Sequence, residues 1–157
     1  MTGGVDSLKS TEIILRGGSI VAGPDLPVGA SCHAIVEVLP DEQYILIGGW
    51  TKDGYWSKAT YVFHVNNERW TRGPDLIEGR TGHTAAIIYD SVTHDPYIVV
   101  VGGYTGYSSN RGWLRSVEVM KPGSEKWDQG KQPLISICRS VEFDQFSSTR
   151  DTFAYTS

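Results

Sequence analysis

The chain of 157 residues repeats itself, and this repeat limits the folds it can adopt more than any other feature. The sequence GPDL occurs at 23–26 and again at 73–76, and a histidine follows each copy at the same distance. Self-similarity over about 50 residues indicates repeated supersecondary units that stack on one another. Each copy also has a glycine pair and a late tryptophan: Gly48, Gly49 and Trp70 in the first, and Gly102, Gly103 and Trp127 in the second.

The interval between the copies lengthens along the repeat. It is 50 residues from His33 to His83 and 57 residues from Trp70 to Trp127. The additional residues fall in polar segments such as YDSVTHDP at 89–96, whereas the apolar segments keep their lengths. Insertions confined to loops between fixed strands are typical of a structural repeat.

Each copy is predicted to form four short strands, named a to d in chain order. The apolar runs that end at the glycine pairs, YILI and YIVVV, are continuous, as expected for a strand covered on both faces. No segment shows a helical period, so the sequence predicts an all-β fold. The predicted strands are 33–38, 44–47, 60–65 and 69–72 in the first copy and 83–88, 97–101, 115–120 and 126–129 in the second.

Four antiparallel strands in about 50 residues, with a glycine pair and a late tryptophan, resemble the kelch repeat of β-propeller proteins. The WD40 repeat, another propeller unit, has a shorter period of about 40–45 residues. The resemblance implies kelch-type β-propeller blades, each a four-stranded antiparallel sheet, in an incomplete arc of a larger propeller. The residues that carry it are Gly48, Gly49, Tyr61 and Trp70, matched by Gly102, Gly103, Val117 and Trp127.

The repeat divides the chain into four parts. We expect residues 1–29 to be the remnant of a preceding kelch blade, 30–76 and 77–134 to be one kelch blade each, and 135–157 to be the start of a further blade with an irregular tail. Two full blades cannot close a ring, because propellers have about 4–8 blades. The favoured interpretation is a piece of a larger propeller. The alternatives are self-association that completes a ring, and a degenerate chain that folds poorly.

Charge and composition exclude several classes of partner. The 14 basic and 18 acidic residues give a net charge of −4 and are scattered, so no nucleic-acid or membrane partner is expected. No apolar run approaches the length of about 20 residues that a membrane span needs. The cysteines are only Cys32 and Cys138, in no metal-like spacing, which favours a cytoplasmic location over a disulfide-rich secreted fold.

The glycine pairs and the histidines are the first candidates for a chemical site. A phosphate-binding loop needs a helix directly after its glycines, and polar loops follow both pairs here. We therefore predict that the glycines permit a sharp bend and a close backbone approach. His33 and His83 fall at equivalent points of adjacent blades, too far apart to share a metal ion. We predict no metal, no cofactor and a structural role for both histidines.

An enzymatic alternative comes from the resemblance itself. Galactose-oxidase-like radical-copper enzymes share this repeat and need a Tyr–Cys pair with two histidines near the propeller axis. Cys32 stands beside His33 at a strand start, where we predict a small buried side chain. The sequence therefore predicts a protein that is not an enzyme. A fragment of such an oxidase, with its catalytic residues outside this chain, stays open as the alternative.

The loops between strands b and c are rich in aromatic residues. Loops on a rigid scaffold commonly carry binding residues, and Trp, Tyr and Arg are frequent interface anchors. The resemblance implies contacts from residues just after the glycine pair and from the d–a connection, although Ala30 replaces the arginine of that connection in the first copy. The predicted partner-binding residues are Ser31, Trp50, Lys52, Tyr55, Arg80, Thr81, Tyr104, Tyr107, Arg139 and Ser140, and the loop aromatics also include Trp56 and Trp113.

These features together predict a non-enzymatic protein–protein interaction module. The partner would contact the b–c and d–a loops of the blades. The resemblance implies roles such as a ubiquitin-ligase substrate receptor or a cytoskeletal adaptor, both associated with the fold rather than with any residue here. The missing blades, from the same chain or by self-association, are the other expected partner.

Overall fold

The computed structural model describes residues 9–14, 17–38, 43–51, 53, 56–106 and 112–130. The described residues form short strands and one 3₁₀ turn, Val65–Asn67, and contain no α-helix. The strands in chain order are β1 (Glu12–Ile14), β2 (Ile20–Ala22), β3 (Ala30–Ser31), β4 (Ala34–Val38), β5 (Gln43–Ile47), β6 (Trp50–Thr51), β7 (Thr60–His64), β8 (Arg69–Arg72), β9 (Thr84–Tyr89), β10 (Pro96–Val101), β11 (Tyr104–Thr105), β12 (Gly112–Trp113), β13 (Val117–Met120) and β14 (Asp128–Gln129).

Two four-stranded antiparallel sheets follow one another along the chain. The first has the strand order β4-β5-β7-β8 and the second the order β14-β13-β10-β9, so in each sheet the strands pair in the order in which they occur along the chain. These strands are the predicted a, b, c and d of each copy. The all-β fold of kelch-type blades in an incomplete propeller is therefore confirmed, whereas the domain boundaries given above stay predictions.

The strands β1 and β2 form an antiparallel pair ahead of the first sheet. Two hydrogen bonds around this pair are equivalent to bonds made around strands c and d of the first sheet. The Leu26 amide donates to the Lys9 carbonyl at 2.7 Å, as the Leu76 amide donates to that of Lys58 at 2.8 Å. The hydroxyls of Thr11 and Thr60 donate to the carbonyls of Pro24 and Pro74, both at 2.8 Å. The pair therefore makes the same contacts with residues 23–26 as strands c and d of the first sheet make with residues 73–76.

Each late tryptophan fastens its blade to the GPDL segment before it. The indole Nε1 of Trp70 donates to the Pro24 carbonyl at 3.2 Å, and that of Trp127 donates to the Pro74 carbonyl at 3.1 Å. A buried indole normally finds a single acceptor of this kind. The two tryptophans are thus structural residues, as the repeat predicts.

The main hydrophobic core lies between the two sheets. Apolar residues of β4 and β5 pack against those of β10 and β13 and against Trp127, because the b strands of both sheets are apolar on both faces. A smaller cluster around Leu26, Leu46 and Tyr61 lies on the other side of the first sheet. The buried members of the main core are Val36, Val38, Ile45, Ile47, Leu76, Ile98, Val100, Met120 and Trp127.

The strand register corrects one equivalence drawn from the sequence. Leu46 pairs with Tyr61 in the first sheet, and Val100 pairs with Glu118 in the second. Leu46 and Val100 each stand two residues before a glycine pair, so Glu118 rather than Val117 occupies the position of Tyr61. The sequence alone could not place this equivalence, because the loop between the glycine pair and strand c is longer in the second copy.

Cys32 also differs from the prediction, because it is exposed rather than buried. Its backbone φ is 51°, close to the φ of 60° at Gly82, which is the equivalent residue of the second blade. The connection thus needs a left-handed residue at this point, which turns the cysteine outward.

Several predicted features fall outside the described residues. They are Lys52, Tyr55, Tyr107, Arg139 and Ser140 among the site residues, together with the predicted boundary at 134 and the further blade after it. In the part of the chain that is described, no helix has the length and apolar character to span a membrane.

Candidate partner-binding site

The d–a connection and the start of the b–c loop meet at one end of each blade. In the first blade Ser31 pairs with Trp50 in the short β3–β6 ribbon. In the second blade the amide of Thr81 donates to the Tyr104 carbonyl at 3.1 Å, and the Tyr104 amide donates back to Thr81 at 2.9 Å. The structure therefore brings these four predicted site residues together as two equivalent pairs.

Adjacent blades are joined at the same end. The amide of Gly49 donates to the Arg80 carbonyl of the next blade at 2.8 Å, and the Gly82 amide donates to the Cys32 carbonyl at 3.0 Å. The Thr81 hydroxyl also donates to the Cys32 carbonyl, at 3.3 Å. Loops from both blades therefore form one continuous surface.

The glycine pairs have a packing role. All four glycines have positive φ, from 62° to 101°, a conformation that side-chain-bearing residues rarely adopt. A Cβ on Gly49 would lie 3.0 Å from the Cβ of His33, and a Cβ on Gly103 would lie 2.9 Å from that of His83. Each glycine pair thus packs closely against a repeated histidine. The amides of Gly48, Gly49 and Gly102 donate hydrogen bonds to backbone carbonyls.

Four aromatic side chains form a continuous row across the two b–c loops. We call Trp50, Trp56, Tyr104 and Trp113 the aromatic row. The ring centroids of Trp50 and Trp56 are 5.1 Å apart, those of Trp56 and Tyr104 are 5.9 Å apart, and those of Tyr104 and Trp113 are 5.8 Å apart. Two of these contacts are edge-to-face, an arrangement favoured by the quadrupoles of the rings.

The ends of the aromatic row face solvent. Trp50 is 39% exposed and Trp113 is 83% exposed, whereas Trp56 and Tyr104 are half-buried. Gly106 makes the row possible, because the Trp56 ring occupies the place where a Cβ of Gly106 would lie. The row therefore has two half-buried rings at its centre and one exposed indole at each end.

Arg80 requires a correction of its predicted role. The side chain is completely buried, and its Nη2 donates to Glu118 Oε1 at 2.5 Å. Its Nη1 also donates to the Gly102 carbonyl at 2.8 Å. A buried, paired guanidinium cannot meet a partner at the surface, so Arg80 is an internal residue of the second blade. Sequence reasoning left Glu118 out of the site because the two residues are far apart in the chain.

The two repeated histidines are held in the neutral form. Burial is the main cause that lowers the pKa of His83 to about 4, and the positive charge of the neighbouring Arg80 lowers it further. Burial also lowers the pKa of His33. Among the described residues, no group of three His, Cys, Asp or Glu side chains is arranged to hold a metal ion.

The pKa of His83 predicts that acid destabilises the blades. The unfolded chain takes up a proton near the ordinary value of 6.5, whereas folded His83 takes it up only near 4. Stability is therefore complete above pH 6.5 and falls as the pH is lowered towards 4, by about 2 kcal/mol between pH 7 and pH 5. Urea unfolding at several pH values measures this loss.

The exposed His94 provides the control for this prediction. The His83→Gln variant is expected to lose most of the pH dependence, whereas His94→Asn is expected to keep it. An unchanged pH dependence in His83→Gln would show that another group is responsible.

Of the predicted partner-binding residues, the structure leaves Ser31, Trp50, Thr81 and Tyr104 together at one surface. The loop aromatics Trp56 and Trp113 join them, although the sequence alone did not single them out as contacts. The sequence signal that could have identified them is their position in Gly-rich loops, where aromatic side chains are not needed to build the core.

Comparison with known proteins agrees with the sheet topology. Residues 79–133 match the model of the Kelch motif. The chain is also 33% identical over 107 residues to the tRNA wybutosine-synthesizing protein 4 of Candida albicans, an alignment that covers 66% of this chain and 14% of that protein. The chain thus matches about a seventh of the length of this relative.

The topology and the glycine-anchored loops define a protein built of β-propeller blades. The match to the Kelch motif covers the second blade, and the first sheet has the same antiparallel strand arrangement.

Proposed function

We propose that the chain binds a partner protein through the aromatic row and has no catalytic role of its own. The observation that carries the proposal is the exposure of Trp113, which stands 83% exposed at the end of four contacting aromatic rings. A cluster of exposed aromatic side chains on a protein surface indicates an interaction site. Tryptophan and tyrosine contribute much of the binding energy of many interfaces.

The backbone around the row supports this assignment. Trp50 and Tyr104 of the row are paired through their backbones with Ser31 and Thr81. The positions of their rings are therefore fixed by hydrogen-bonded backbone in both blades. Such a surface is pre-organised, which lowers the entropy that binding costs. A ubiquitin-ligase substrate receptor and a cytoskeletal adaptor would both use the row in this way, and the identity of the partner distinguishes them.

Selection from a random peptide display library tests the proposal. We expect the full chain to enrich a set of peptides, and the Trp113→Ala variant to bind them at least about tenfold more weakly, because truncation of a hot-spot tryptophan costs about 2 kcal/mol or more. Tyr89→Ala removes another exposed aromatic, at the opposite end of β9 from Thr84, and is expected to bind the peptides normally.

Two results would contradict the proposal. One is that no peptide is enriched on the folded chain. The other is that the enriched peptides bind Trp113→Ala and Trp50→Ala as tightly as they bind the original chain.

A second candidate is that the chain forms the propeller part of a tRNA-modifying protein. The observation that favours it is the 33% identity to the Candida protein named for wybutosine synthesis. In that case the row would contact either RNA or another protein of the modifying system. Direct binding of an unpaired RNA oligonucleotide to the row would favour RNA as the ligand.

A further inference from the structure

We propose that the aromatic row binds a proline-rich segment in the polyproline II conformation. This inference rests on the function proposed above and names the chemistry of the partner. Polyproline II segments are recognised by aromatic-lined grooves, because the helix is already formed before binding and loses little entropy.

The spacing of the rings fits this conformation. The three centroid separations are 5.1, 5.9 and 5.8 Å. Polyproline II rises about 3.1 Å per residue, so each step along the row corresponds to about two residues. Four rings therefore match a segment of about six residues.

The orientation of the rings produces a ridged surface rather than a flat one. The planes of Trp50 and Trp56 meet at 78°, and those of Tyr104 and Trp113 meet at 76°. The exposed indoles at the two ends rise beside the half-buried rings of Trp56 and Tyr104. Pyrrolidine rings are compact and rigid enough to occupy the clefts between such ridges.

Polyproline II also needs hydrogen-bond donors, because its carbonyls have no partner within the helix. Trp113 is 83% exposed, which leaves its indole N–H accessible to a carbonyl of the ligand. Recognition of this kind combines apolar contact with one or two indole donors.

The charge of the site favours an uncharged ligand. In the described parts of the two loops, the exposed charged residues are Asp53, Lys58 and Arg115, and the Lys58 ammonium donates to the Ile77 carbonyl at 2.6 Å. Sites that stack single-stranded nucleic acid combine aromatics with a positive groove, and this chain has a net charge of −4. A neutral peptide therefore fits the row better than RNA does.

Fluorescence anisotropy with three labelled probes tests the inference on the full chain. The probes are decaproline, a glycine–serine decapeptide and a ten-nucleotide oligouridine. Decaproline is expected to bind at concentrations up to about 1 mM and the glycine–serine peptide is not. The Trp113→Ala variant is expected to bind decaproline at least about tenfold more weakly, and Tyr89→Ala is expected to bind it normally.

Each other outcome overturns the inference. If decaproline does not bind, or binds Trp113→Ala unchanged, the row is not a polyproline II site. If library peptides nevertheless depend on Trp113, the proposed protein-binding function survives with a different ligand. If only oligouridine binds and needs Trp113, the row is a nucleic-acid site, and both proposals fail.

Discussion

Replacement of Arg80 by alanine is expected to lower the free energy of unfolding by about 3–5 kcal/mol, because it leaves the Glu118 carboxylate buried without a counter-charge. The two side chains are 0% and 2% exposed, and their charged atoms are 2.5 Å apart. Glu118 also accepts hydrogen bonds from the amides of Ile77 and Glu78. The pair therefore ties the d–a connection to strand c of the same blade.

The first blade shows how this position is filled without charge. Ala30 and Tyr61 stand where Arg80 and Glu118 stand in the second blade. Pro27 stands in the place of Ile77, and proline has no N–H that would need the carboxylate. The two blades thus use an apolar set and an ionic set of residues at the same place.

A transplant of the apolar set is therefore expected to recover stability. The triple variant Ile77→Pro, Arg80→Ala, Glu118→Tyr should lose less free energy of unfolding than Arg80→Ala alone. Urea unfolding followed by tryptophan fluorescence measures both, with the exposed Arg115→Ala as a control that changes stability by less than about 0.5 kcal/mol. If Arg80→Ala were as mild as Arg115→Ala, the buried pair would not hold the blade together.

Replacement of Trp127 by alanine is expected to lower the free energy of unfolding by about 3–5 kcal/mol as well. Trp127 is 4% exposed and belongs to the core between the two sheets, with Ile45 and Ile47 of the first blade. Its removal leaves a large cavity and frees the Pro74 carbonyl from its indole donor. The loss should therefore affect both blades together.

Trp113→Ala provides the matched control, because it removes the same side chain from an exposed position. It is expected to change the free energy of unfolding by less than about 0.5 kcal/mol. Equal losses in the two variants, measured by urea unfolding, would contradict the division of the tryptophans into core residues and surface residues.

The repeat made the fold predictable from the sequence. Strand b ends one residue before Gly48 in the first blade and one residue before Gly102 in the second, so its end could be placed from the sequence. The positive φ angles of the glycine pairs disfavour residues other than glycine at these positions. Packing of the late tryptophans followed from the same pattern, since each is matched to an equivalent proline carbonyl.

The candidate site was less predictable, because it depends on contacts between distant segments. The row joins Trp56 of one loop to Tyr104 of the next blade, and no local pattern encodes that contact. The burial of Arg80 depends on Glu118 in the same way. Sequence position could place each residue in a loop, but only the sheet register shows which side chains meet.

Under the proposed function, Trp50 and Trp113 form a binding surface while Trp70 and Trp127 hold the blades together. Hydrogen–deuterium exchange of the indole N–H groups tests it directly, by NMR on the full chain with and without a library-selected peptide. We predict slow exchange at Trp70 and Trp127 in both states, and fast exchange at Trp50 and Trp113 that the peptide slows. Protection of Trp50 and Trp113 in the free chain, or a bound peptide that leaves both unprotected, would contradict the account.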